Sequence, residues 1–232
     1  MVWTSAGPAR MGSWAAGTTA AAAAAALAIG VTTPPRSGPY CRGGCIGYPY
    51  TDAAAFVPRD YLWMYPATLA PLALVVAVAC LHDRLPAGHR SLSRAGLSAA
   101  AIGACVLAID YVLQLTVLQP GLLSGETEGL SPWSQYNPHG MFVGLEDLGY
   151  ATLGVALVLL GAALRAAPGR PARAAAWTFL GGGAAITAAL VLFATAYRAR
   201  LDYRFEVIAV VLTWLALAAG GTLLAVAFAR RA

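Results

Sequence analysis

Glu146 and Asp147 stand side by side in LEDLGY, inside a run that is otherwise apolar, with His139 and Tyr150 to either side. At helical spacing His139, Glu146 and Tyr150 fall at i, i+7 and i+11 and share one face. Asp147 is turned by roughly 100° from Glu146 and must find a separate partner. A second run, AIDYVLQLTVLQP, carries Asp110 and Gln114 one turn apart, with Tyr111 beside them. A third opens on Glu206, with Tyr203 one turn before it, Thr213 two turns after it, and Arg198, Arg200 and Arg204 close by. Carboxyl groups gathered in apolar surroundings do not all ionise, so one of them keeps a proton near neutral pH. Proton donation, proton coupling and cation binding are the chemistries that follow.

Each of these residues has a plain reading beside the functional one. The buried carboxyls either bond neighbouring helices or line a polar cavity. Glu206 either makes a rim salt bridge to an adjacent arginine or, with Arg204, completes an outward-facing polar mouth above Asp110 and Glu146. The expected ligand-binding set is Asp110, Gln114, His139, Glu146, Asp147, Arg204 and Glu206. Asp110 and Glu146 are the catalytic candidates if a reaction occurs there, and they are expected to share one network.

The elements that must position these groups follow from composition. Hydrophobic residues make up 59% of the 232, charged residues 11%, and the mean hydropathy is +0.66. A soluble domain carries about a quarter charged residues, so this much apolar surface requires lipid as its solvent. A bilayer core about 30 Å thick is crossed by roughly 20 apolar residues in a helix. Six stretches qualify, at about 13–32, 61–82, 96–119, 139–164, 174–197 and 205–229, which predicts an all-α, six-helix integral membrane bundle. The spans nearly fill the chain and leave 1–232 as a single membrane domain, with membrane lipid as its constant partner.

The first stretch is mostly alanine, a good helix former of weak lipophilicity. Arg10 ahead of it also suits a cleavable signal, but a retained span packed through its small residues is the expectation. The fourth is expected to start near Asn137, because Asn caps free N–H groups and Pro138 suits the first helical position. Glu146 would then lie roughly 12 Å along that helix. SPW at 131–133 suggests a short interfacial helix holding Trp133 and Tyr136 at headgroup level. Arg59 and Asp60, ahead of the second span, are expected to pair locally.

All 15 basic residues are arginine. With the heavy alanine usage, this points to a GC-rich bacterial genome and an inner-membrane location. With both termini inside, Arg10, Arg84, Arg90, Arg94, Arg165, Arg170, Arg173, Arg230 and Arg231 face the cytoplasm. Arg36, Arg42, Arg59, Arg198, Arg200 and Arg204 face outward. The majority favours N-in and C-in, with the long loop 33–60 outside. Arginines that fall singly or in small groups at span ends do not suggest a nucleic-acid surface.

Cys41 and Cys45 in that loop are expected to form a disulfide, the ordinary outcome on the oxidising side of a membrane. Two thiols alone do not complete a zinc site, and no metal is indicated. Cys80 and Cys105 read as inert apolar residues inside spans, and His82 and His89 as solvated linker residues. The glycines at 181–183 and 220–221 are suited to close helix packing. No phosphate loop, nucleotide fingerprint, nucleophile elbow or HExxH motif is present, so no cofactor is indicated.

The stretches PRDYLWMYP (58–66), GETEG (125–129), QYNPHG (135–140) and LEDLGY (145–150) resemble a family of small bacterial multi-pass membrane proteins without an assigned activity. The resemblance runs from about residue 56 to the C-terminus. It implies the membrane class and treats 125–150 as one unit, and it carries no catalytic residue. The residues themselves lead to a protein with an outward-opening polar pocket for a small ligand, a lipid headgroup or an ion. The alternatives are an intramembrane enzyme using a protonated carboxylate on an apolar substrate, as isomerases and cyclases do, and a scaffold or assembly subunit. Oligomeric state is not readable.

Overall fold

The computed structural model describes residues 6–230. Arg231, assigned above to the inner side, lies outside them. Six long helices dominate: α1 (Ala6–Gly30), α2 (Met64–His82), α3 (Arg90–Leu113), α4 (Met141–Leu164), α5 (Arg170–Tyr197) and α6 (Arg204–Ala229). Each belongs to a segment long and apolar enough to cross a membrane. The chain is a multi-pass, all-α membrane bundle, and no strand occurs among the described residues.

Every helix packs on its neighbours in sequence, and α1 closes the ring against α6. A further contact joins α4 to α6 across the ring. The spans of α2, α4 and α6 are the most buried and that of α5 the least, so burial alternates around the ring, with α1, α3 and α5 the more exposed helices. Small residues set the closest approaches. A Cβ on Gly161 would lie 2.7 Å from the Ala176 carbonyl oxygen, and one on Gly183 2.8 Å from the Val158 nitrogen. Gly220 faces the Phe179 ring and Gly221 faces Ala16 and Ala20. The alanine-rich α1 is thus a packed member of the bundle, with Ala9, Ala16, Ala23 and Ala26 essentially inaccessible.

One end of the bundle carries nearly all the irregular chain: residues 31–63, 124–140 and the turn before α6. These segments are tied together. Arg59 donates to the Thr32 carbonyl and to both threonine hydroxyls, Ser37 bonds the Tyr203 hydroxyl at 2.9 Å, and Tyr203 donates to the Gln135 carbonyl. Cys41 and Cys45 are joined by a disulfide in the first of them. Arg59 does not pair with Asp60, because the Asp60 carboxylate is turned inward to Arg36 at 3.2 Å.

Helix limits differ from expectation in two informative places. The third span does not stop at 119. It passes through a π-helical turn, Gln114–Leu118, and continues to Leu123. The fourth does not begin at Asn137. Asn137 Oδ1 accepts the His139 N–H, and Nδ2 donates to the Ser131 carbonyl. The side chain is spent on a local turn, so helical geometry starts only at Met141. Glu146 is therefore about five residues, roughly 8 Å, from the start of α4. Tyr136 is buried and donates to Asp60.

Candidate functional site

At the loop-bearing end α3, α4 and α6 bring their acidic residues together. Glu146 is fully buried, and its Oε1 accepts the Tyr111 hydroxyl at 2.5 Å. The Tyr111 oxygen meets the Tyr150 hydroxyl at 2.7 Å. The Glu206 carboxyl of α6 is an electrostatic neighbour of Glu146, and Oε2 of each acid has no hydrogen-bond partner. The donors run in one direction, Tyr150 to Tyr111 to Glu146, and such chains polarise each bond they contain.

Two neighbouring carboxyl groups in apolar surroundings do not both ionise, so one of them holds a proton. Asp110 and Asp147 surround this pair. Asp110 is fully buried, acts electrostatically on Glu146 and Glu206, and has no hydrogen-bond partner on either oxygen. Asp147 is half-buried and acts on Glu206, with Oδ1 likewise unpartnered. Among the described residues, no three His, Cys, Asp or Glu side chains are arranged to hold a metal ion.

Three members of the expected set stand apart from this cluster. His139 precedes α4, so helical periodicity does not apply to it. Its ring is 70% exposed and pairs with Asp202 at 3.1 Å. Arg204 is bonded to Asp202 at 2.7 Å and lies over the Tyr197 ring, 4.7 Å from its centroid. It makes neither a rim bridge to Glu206 nor a joint mouth with it. Gln114, buried at the π turn, donates to the Trp133 carbonyl at 2.7 Å and fastens the 124–140 loop to α3. Asp110 and Glu146 are electrostatic neighbours without a direct hydrogen bond; the closer partner of Glu146 is Glu206.

In front of the cluster is a cavity of about 350 Å³ among the end of α1, the 31–63 loop, the start of α2 and the first turns of α6. Glu206 and Trp214 both line it. They are eight residues apart on α6 and share a face with Val210. The lining is apolar along α1 and α6, with Leu27, Val207, Val210 and Val211, and polar along the loops, with Arg36, Ser37, Asp60 and Gln135. Arg36 stacks over Phe56 at 4.1 Å while bonding Asp60. Tyr136 and Tyr203 also line the cavity. Burial drives both hydroxyls well above the ordinary tyrosine range, and nearby carboxylates push the same way, so both persist as donors.

Several of these residues carry no sequence signal for a shared site. Arg36 and Asp60 lie 24 positions apart, Trp63 and Trp214 much farther, and the two tryptophans meet with ring centroids 5.7 Å apart. Trp63 in PRDYLWMYP reads as an interface anchor, but it is 9% exposed and also packs edge-on against Tyr111 at 5.2 Å. The Tyr111–Tyr150 contact was open to sequence reasoning only in part, since each tyrosine sits beside a carboxylate on its own helix. No family model matches the chain, and no curated protein or solved structure does so either.

Proposed function

We propose that this membrane protein binds a small amphiphilic ligand in the cavity at its loop-bearing end, polar group toward the loops and apolar part along α6. The cavity itself carries the reading: it is lined both by a carboxylate, a paired arginine and several hydroxyls and by aliphatic and indole surface. Its volume is at the small end of the range for ligand pockets, which are mostly apolar with a few placed polar groups. The reading includes the orientation expected from the arginines, with both termini cytoplasmic and the cavity opening outward from a bacterial inner membrane.

Filling the cavity tests the binding. Val210 is buried on its wall, and Val210→Trp should reduce binding of an amphiphile screened against the wild type by at least about tenfold. The melting temperature should change little. Undiminished binding would move the ligand elsewhere.

Cysteine labelling tests the orientation. Gly88 lies in the short 83–89 linker with open space around it, so Gly88→Cys is tolerated. A membrane-impermeant maleimide should label it only after the cells are opened. Labelling of intact cells would reverse the orientation and turn the cavity inward.

A further inference from the structure

We infer that the ligand is an organic cation, an ammonium or similar charged head on an apolar body, with its charge held at Glu206. This rests on the binding reading above and adds the class of ligand to it.

The placement of the two acids supplies the charge. Glu146 Oε1 is occupied by the Tyr111 hydroxyl, Oε2 of Glu146 and of Glu206 has no partner, and two neighbouring carboxyl groups in apolar surroundings do not both ionise. Glu146 is sealed from solvent, whereas Glu206 is half-buried and lines the cavity. The ionised form costs less where the cavity and its water reach it. Glu146 then keeps the proton and Glu206 is the anion.

Among the described residues, no cationic side chain forms an ion pair with Glu206. Arg36, the cation on the cavity wall, is bonded to Asp60. Arg204, two residues away, is committed to Asp202 and to the Arg200 carbonyl. The neighbouring groups Glu146, Asp110 and Asp147 are all acids. An anionic head would find the arginine occupied and approach a carboxylate. A bare metal ion would need several converging oxygen ligands, and no such group occurs among the described residues.

The walls suit a cation of low hydration. Trp63 and Trp214 line the cavity with rings inclined at 54°, and Tyr40 and Tyr203 face it from the loop and from the start of α6. Aromatic faces beside a carboxylate are the surroundings that hold quaternary ammonium groups, and the attraction grows as water is excluded. Val207 and Val210 on the same helix extend apolar surface for the body of the ligand.

The test compares three probes of nearly one shape on the full chain in nanodiscs: benzyltrimethylammonium, its neutral carbon isostere neopentylbenzene, and phenylmethanesulfonate. Equilibrium dialysis with labelled probes measures binding, and empty nanodiscs correct for partition into lipid. The cation should bind at least about tenfold tighter than the isostere, and the sulfonate should not compete. Glu206→Gln should bring the cation down to the level of the isostere and leave the isostere unchanged. Equal binding of cation and isostere by the wild type would overturn the cation assignment while leaving the amphiphile site standing. Failure of all three to bind would overturn both. If Glu206→Gln does not yield a melting transition, the wild-type ratio of cation to isostere decides the question by itself.

Discussion

Glu146→Gln should fold and stay within about 1 kcal/mol of the wild-type stability, whereas Glu146→Ala should lose about 3 kcal/mol or more. The difference follows from what the side chain does. Its Oε1 accepts from Tyr111, and the Glu206 carboxyl is its electrostatic neighbour on α6. If Glu146 is the protonated member of the pair, it is a neutral acceptor, and a glutamine amide keeps both the shape and the neutrality. The amide carbonyl takes the tyrosine hydroxyl. Alanine instead leaves the Tyr111 hydroxyl unbonded, at about 1–3 kcal/mol for a buried orphan, and opens a void among fully buried neighbours. Thermal melts of the purified variants in one detergent measure the contrast. A glutamine variant as unstable as the alanine variant would show that Glu146 is ionised.

Gly183→Ala should destabilise the bundle by about 1–3 kcal/mol, and Gly161→Ala by a similar amount. Both glycines lie where α4 and α5 touch backbone to backbone. At Gly161 a methyl group would press on the Ala176 carbonyl and the Leu180 nitrogen, both at 2.7 Å. At Gly183 it would press on the Gly154 carbonyl and the Val158 nitrogen. Backbone atoms do not turn aside as a side-chain tip does, so the helices must separate and lose their dispersion contacts, which drive association in lipid. Gly181 provides the control, since a methyl group there meets nothing within 4 Å. Gly181→Ala should melt with the wild type, and the other two should melt lower in the same detergent. Equal melting temperatures for all three would mean that α4 and α5 are not in this close contact.

The number of the spans and their approximate positions were legible in the sequence because lipid imposes a length and excludes polar groups, and both constraints are local. The same locality made Asp110, Glu146, Asp147 and Glu206 visible as acids that must avoid lipid. Their partners were not legible. Glu206 has arginines beside it in sequence, yet α6 turns it toward Glu146 while Arg204 turns away to Asp202. Helical spacing put His139 on the Glu146 face, but Asn137 satisfies itself in a turn and keeps His139 outside the helix. Asp60 had an arginine next to it and chose Arg36, brought back by the loop. Nor did hydropathy distinguish the more buried helices α2, α4 and α6 from the other three, because lipid and a packed core are equally apolar. That choice is made by glycine contacts and by which polar groups can meet. Cys41 and Cys45 stand at the other extreme, four residues apart, and their pairing needed no tertiary information. A group whose partner lies within a turn or two can be read along the chain. The cavity, its tryptophan walls and the Tyr150–Tyr111–Glu146 chain with Glu206 beside it depend on lateral packing of separate helices, and only the folded bundle brings them together.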